Sequence, residues 1–156
     1  EPVPVYNFHV KEWASYFVVE VRAYVHNSRT KTHGEVKEVI KEFDIVNYSD
    51  KITGIENHHA VLDVWATNNI KGYKSRASKS TSIALTKEHH AMTKAVYRDW
   101  LFEKTGKKVG GKINWKNISL REIQSLSERM FDAANVPVSA RKKYYNEFNS
   151  YIYNLK

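Results

Sequence analysis

The chain has no cysteine among its 156 residues. Disulfide bonds, thiolate-bound zinc and cysteine nucleophiles are therefore excluded, and any metal must be held by histidine, carboxylate, amide or water ligands. The same absence disfavours a zinc-dependent nucleobase deaminase, because the ligands of that site include a pair of cysteines.

Long apolar runs are also missing, and none approaches the roughly 20 residues that a membrane-spanning helix needs. The hydrophobic share of 42% and the aromatic share of 13% nevertheless exceed what a disordered chain would carry. Because the length suits one domain with its own core, we expect a folded protein with no membrane span.

Acidic residues are scarce in the second part of the chain. Residues 70–156 carry 18 lysines and arginines against 7 acids, whereas residues 1–69 carry 7 against 10. A basic surface of this kind suits phosphates, since each neutralised phosphate releases a counterion. A solvated basic surface without a partner would have the same composition, so charge alone leaves nucleic-acid binding open.

Hydrophobic periodicity and turn residues predict an α+β fold that is predominantly helical. Short strands are predicted over residues 3–10, 15–20 and 82–85, with a polar linker at 27–34 and a loop at 47–54. Helical spacing of apolar residues predicts helices over residues 36–43, 60–69, 87–105, 119–134 and 139–153. Thr86 and Ser119 have the side chains and sequence context of helix N-caps.

Four of the seven histidines form two pairs about thirty residues apart, His58-His59 and His89-His90. Adjacent side chains near a strand end point in different directions, so one can ligate a metal while the other faces the substrate as a base. A histidine in the first turn of the 87–105 helix would close such a site and leave positions for water and a phosphate oxygen. One pair alone is more often structural, but two pairs with a basic surface favour phosphodiester chemistry.

The stretch from Ile55 to Trp100 resembles the HNH/endonuclease VII group of His-Me finger nucleases. The resemblance lies in a HisHis pair, a following asparagine, and a strand that enters the helix through Leu-Thr-Lys-Glu ahead of a histidine. It implies a ββα-metal core with additional C-terminal helices. The implied activity is that of an HNH-type endonuclease, a hydrolase acting on phosphodiester bonds.

The resemblance also implies a divalent metal site for Mg²⁺, Mn²⁺ or Zn²⁺. His58 would be one ligand and His90 the other, although a register one residue shorter selects His89. A threonine and a lysine occupy the positions of a further histidine that some members have. Glu56 or Asn57 would then complete the ligands.

The second histidine of the first pair, His59, corresponds to the general base that activates water. The central asparagine that steadies this base would be Asn69 or its neighbour Asn68. Basic side chains on the following loop and helix are expected to hold flanking phosphates: Lys74, Arg76, Lys87, Lys94 and Arg98.

A second resemblance concerns residues 1–27, which look like the closing strands of a Hint-like pretoxin segment, leaving 28–156 as the nuclease toxin domain. It implies a polymorphic toxin of the Rhs or contact-dependent inhibition type. Such toxins are secreted or delivered by a larger parent protein and act in the cytoplasm of a competing bacterium. A cognate immunity protein is the implied partner.

Two alternatives remain beside a metal-dependent endonuclease that cuts DNA rather than RNA. The first is a metal-independent RNase toxin in which His59 and either His89 or His90 share acid/base catalysis. The second is a non-catalytic nucleic-acid-binding domain whose histidines are structural. The first predicts cleavage that survives chelation, and the second predicts binding without cleavage.

Overall fold

The computed structural model describes residues 39–155. The predicted strands and pretoxin segment within residues 1–27 lie outside this part of the chain. The described elements are β1 (Ile45–Asn47), β2 (Ile55–His58), α1 (Asp63–Asn69), β3 (Thr81–Thr86), α2 (Lys87–Thr105), a 3-10 turn (Trp115–Asn117), α3 (Leu120–Ala133) and α4 (Val138–Tyr153). This is an α+β fold in which helices predominate, as predicted.

The three strands form one antiparallel sheet in the order β1-β3-β2. The central strand β3 is buried along most of its length, and its Ile83 lies between Ile45 on one side and His58 on the other. The chain passes from β2 through α1 to β3 and directly into α2. β2, β3 and α2 therefore form the ββα unit that the sequence resemblance implied.

Helix α2 begins and ends at the residues that the sequence predicted. The Thr86 side chain accepts a hydrogen bond from the His89 backbone N–H, which satisfies one of the free donors of the first turn. Gly106 closes the helix with a φ of 68°, a left-handed conformation that costs glycine little. Because β3 runs straight into this capped turn, the first-turn side chains are fixed relative to the sheet.

The C-terminal helices complete the core behind the sheet. Phe131 of α3 and Tyr144 of α4 are fully buried and pack edge to face, with ring centroids 5.6 Å apart. Two buried hydrogen bonds tie these helices to the segment after the first histidine pair. Ser127 Oγ donates to the Ala60 carbonyl at 2.6 Å, and the Val61 N–H donates to Tyr144 Oη at 3.1 Å.

The prediction of a helix over residues 36–43 is wrong for its described part, residues 39–43. Phe43 has a left-handed φ of 70°, and its N–H donates to the Ala84 carbonyl at 2.7 Å. This contact brings the chain alongside β3 and starts the pairing that continues as β1, a strand that was not predicted. Long-range pairing thus overrides the local helical spacing.

The remaining helix boundaries differ little from the prediction. Ser119 caps α3 by accepting from the Glu122 N–H, as its sequence indicated. Helix α4 begins at Val138 after Pro137, and not at the predicted Ser139, because proline already has a φ suited to the approach to a helix. Within residues 39–155, no helix combines the length and apolar character needed to cross a bilayer.

Candidate active site

A cleft of about 440 Å³ lies where the end of β2, the start of α1 and the first turns of α2 meet. Both histidines of the first pair line it, together with His90 from α2. Lys94 and Arg76 lie on the same cleft. The structure therefore collects three of the four predicted site histidines and two of the predicted phosphate-binding side chains.

His58 ends β2 with its side chain buried. Its Nε2 atom has no hydrogen-bond partner in the described part of the chain, which is unusual for a buried polar atom. Burial, reinforced by the nearby charges of His90 and His59, lowers the pKa of His58 to about 3. The ring is accordingly neutral at pH 7, the form of imidazole that binds metals.

His90 lies against His58, with their ring centroids 5.3 Å apart. Its Nδ1 is hydrogen-bonded to Glu56 Oε2, and Lys94 Nζ lies 3.4 Å from the same oxygen. Glu56 and His58 are two residues apart on one strand, so their side chains share the face that meets α2. The hydrogen bond from His90, with the Lys94 charge, lowers the pKa of Glu56 and keeps it a carboxylate. With Nδ1 donating to that carboxylate, the lone pair of His90 lies on Nε2.

His59 is held in one tautomer by Ser80. The Ser80 hydroxyl donates its single proton to the Ala77 carbonyl at 2.7 Å, so its oxygen must accept from His59 Nε2, which lies 2.9 Å away. The lone pair of His59 is therefore on Nδ1. Burial lowers the pKa of His59, and the charges of Arg76 and Lys51 act in the same direction against an opposing effect of Asp63.

Stacking fixes the plane of the same ring. Tyr48 stacks on His59 with a centroid separation of 4.8 Å, and Lys51 Nζ lies 4.7 Å from the Tyr48 ring centroid. The turn that carries Tyr48 is fastened to β2 by Asn57, whose Nδ2 donates to the carbonyls of Asn47 and Tyr48 at 3.2 and 3.1 Å. Asn57, considered from sequence as an additional metal ligand, thus uses its amide nitrogen to hold this turn.

His89 does not line the cleft. Its Nδ1 lies 2.7 Å from Glu42 Oε1, and its ring stacks on Phe43 at 5.9 Å. Successive helix residues project about 100° apart, so only one of the two adjacent histidines can face the cleft. That one is His90, the register first selected from sequence.

The two asparagines expected to steady the base lie elsewhere. Asn68 donates to the Val64 carbonyl within α1, and Asn69 donates to the carbonyls of Trp65 and Trp115. Ser80 makes the contact to His59 that sequence reasoning assigned to an asparagine. The sequence does not predict this contact, because Ser80 lies 21 residues from His59, just before β3, and belongs to no local pattern.

The remaining predicted phosphate-binding residues, Lys74, Lys87 and Arg98, are exposed and do not line the cleft. Lys87 and Arg98 lie on α2, the helix that carries His90, and Lys74 lies in the loop that carries Arg76. Their placement allows contacts with a long substrate beyond the cleft itself.

The residues at the cleft fit a metal ion with few protein ligands. In residues 39–155, no three histidine, aspartate or glutamate side chains are grouped in a ready-made ligand shell. Two imidazoles are nevertheless adjacent, one with an unpartnered buried nitrogen and the other oriented by a carboxylate. Carboxylate-supported histidine is a common ligand arrangement, and open positions are typical of a catalytic metal.

In a comparison with known protein families, residues 52–153 match the Tox-SHH family. That family is described as an HNH/Endo VII superfamily toxin with a SHH signature. The match begins just before β2, ends with α4, and so contains the whole ββα unit and both C-terminal helices. No solved structure matches the chain.

Proposed function

The chain belongs to the HNH/Endo VII superfamily of nuclease toxins, and we propose that its cleft hydrolyses phosphodiester bonds in DNA with the aid of a divalent metal ion. The observation that carries the proposal is the state of His59. Its Nε2 proton is committed to Ser80, which leaves Nδ1 with the lone pair that a general base needs.

His59 removes the proton of the attacking water in this proposal. A base must be unprotonated before it reacts, and the lowered pKa of His59 keeps it neutral at pH 7. Stacking on Tyr48 and the Ser80 contact hold the ring in one orientation. Fixed orientation lowers the entropic part of the barrier, because the base does not have to be ordered during the reaction.

His58 and His90 are the proposed metal ligands, with Glu56 orienting His90. A bound divalent ion would polarise the scissile phosphate and stabilise the leaving oxygen. Its coordination would also satisfy His58 Nε2, which has no hydrogen-bond partner in the described part of the chain. Lys94 and Arg76 line the same cleft as cations for the phosphates beside the scissile bond.

We extend the proposal to the biological setting, which membership of a toxin family supports. The domain is delivered by a larger parent protein, acts in the cytoplasm of a competing bacterium, and is blocked by a cognate immunity protein in the producer. Expression in the bacterial cytoplasm is then expected to stop growth and degrade DNA, whereas a His59→Ala variant is tolerated.

The direct test incubates the purified chain with supercoiled plasmid and with total RNA, in Mg²⁺, Mn²⁺, Zn²⁺ or EDTA. Metal-dependent nicking of plasmid that is lost in His59→Ala supports the proposal. Cleavage of RNA alone that persists in EDTA would replace it with a histidine RNase. Binding without cleavage under every condition would leave a non-catalytic nucleic-acid-binding domain.

A further inference from the structure

The loop over residues 73–76 is folded around the carboxylate of Asp63, the first residue of α1. Asp63 accepts from Tyr73 Oη at 3.2 Å, from Ser75 Oγ at 2.5 Å and from the Arg76 N–H at 3.0 Å. Burial, with the nearby Asp63 charge, raises the pKa of Tyr73, so its hydroxyl keeps the proton that it donates. One carboxylate thus organises three of the four residues in the loop.

Arg76 has a strained backbone. Its φ of 53° lies in the left-handed region, which residues with a Cβ rarely adopt. Such a conformation persists only where surrounding contacts hold it, and it is concentrated at functional sites. Here the hydrogen bond from the Arg76 N–H to Asp63 supplies the holding contact.

The Arg76 side chain is exposed and lines the cleft beside His59. Among the ion pairs of residues 39–155, none involves Arg76, whereas Lys94 shares the Glu56 carboxylate with His90. The Arg76 charge is close enough to His59 to lower the pKa of the His59 ring. A strained residue therefore presents to the cleft of the proposed base a guanidinium that forms no ion pair within residues 39–155.

We infer that Asp63 is a positioning residue that holds the 73–76 loop so that Arg76 binds a phosphate of the substrate. The inference rests on the proposed function for the identity of the ligand, a nucleic-acid phosphodiester. A guanidinium presents two parallel N–H donors to a phosphate, so its benefit depends on orientation as well as charge. Orientation is what the Asp63 contacts supply.

The direction in which one substitution changes the affinity for DNA distinguishes a positioning role from a purely electrostatic effect. Asp63→Asn removes a negative charge near the cleft, which on electrostatic grounds alone would tighten binding to a polyanion. If Asp63 positions Arg76, the same substitution weakens binding. Asp99→Asn is the matched control, because Asp99 is an exposed acid on α2, paired with Lys108, that does not line the cleft.

The experiment measures binding of a fluorescent DNA duplex by anisotropy at several salt concentrations, with all variants built on His59→Ala to prevent cleavage. Arg76→Ala is expected to weaken binding about tenfold and to reduce the slope of log K against log salt by about 0.9, the value for one phosphate contact. Asp63→Asn is expected to weaken binding severalfold. The double variant should bind no more weakly than Arg76→Ala, because the two residues act through one contact.

Additive losses, or binding by Asp63→Asn as tight as that of the parent, would overturn the inference. Thermal melting shows whether each variant is folded. If Asp63→Asn is not, Ser75→Ala removes one contact to the same carboxylate and must weaken binding in the same direction. Cleavage by the otherwise unmodified chain reports separately on the proposed function. A chain that cuts DNA while Asp63→Asn binds normally refutes only the positioning role, whereas a chain that binds but does not cut refutes only the nuclease.

Discussion

Ser80→Ala is the sharpest test of how His59 is prepared for catalysis. The substitution removes the oxygen that accepts from His59 Nε2 and leaves the ring free to exchange tautomers, while the stacking on Tyr48 remains. The Ser80 N–H still donates to the Ala77 carbonyl at 2.9 Å, so the turn before β3 keeps its backbone contact. The substitution therefore changes the base far more than the fold.

The size of the effect follows from the strength of one hydrogen bond. A neutral hydrogen bond contributes about 1 kcal/mol net, and about 1.4 kcal/mol corresponds to a factor of ten in rate. We expect single-turnover nicking of supercoiled plasmid to slow by roughly 5- to 10-fold, with KM nearly unchanged because Ser80 belongs to the base and not to phosphate binding.

Ser82→Ala supplies the control, because Ser82 lies only two residues further along the chain, in β3. Ser82 is fully buried, and its hydroxyl oxygen has no hydrogen-bond partner in the described part of the chain. Removing an unsatisfied buried hydroxyl is expected to leave nicking unchanged and stability equal or slightly higher. Equal rates for Ser80→Ala and the unmodified chain would refute the tautomer argument. Equal losses in both variants would show that disturbing β3, and not the base, lowers the rate.

Three further predictions concern side chains near the first turn of helix α2. His90→Ala should abolish nicking, whereas His89→Ala should keep most of it and lower Tm, since only His90 faces the cleft. Glu56→Gln should weaken Mn²⁺ binding measured by calorimetry by roughly 10- to 100-fold, as expected when the carboxylate supporting a histidine ligand is neutralised. Burial opposes ionisation of Glu42, but hydrogen bonds from Thr86 and His89 hold its pKa below its ordinary value of 4.5. The contribution of Glu42 to folding stability is then complete above its unfolded pKa. It is lost as the pH falls through the lower pKa of the folded protein. Urea unfolding should therefore separate Glu42→Gln from the unmodified chain by more at pH 7 than at pH 3; an equal gap at both would contradict this.

Local signals were enough to predict the helix that carries the site. The apolar spacing of α2, its cap at Thr86 and its stop at Gly106 are all encoded within a few residues, and each agrees with the others. The two pairs of neighbouring histidines, His58-His59 and His89-His90, could also be recognised from the sequence alone. The ββα arrangement and the meeting of the first histidine pair with His90 were implied by the family resemblance built on those histidines, and not by local signals alone.

The supporting residues could not be found in this way, because each acts across a long stretch of chain. Ser80 reaches His59 over 21 residues, and Asp63 reaches Arg76 over 13. Strand β1 is held by its pairing with β3, and its three residues are too few to show the alternation that marks a strand in sequence. Sequence patterns reveal the reactive side chains, whereas the contacts that orient them depend on tertiary packing.

The hydrogen bond between Val61 and Tyr144 spans 83 residues and joins the backbone beside His59 to α4. The segment that carries the base is thus completed only when α4 has folded onto it. During synthesis, a ribosome would have released residues 58 and 59 well before Tyr144 emerged. A nascent chain that lacks α4 would therefore already contain His58, His59 and His90 without the buried contact that fixes the segment beside the base.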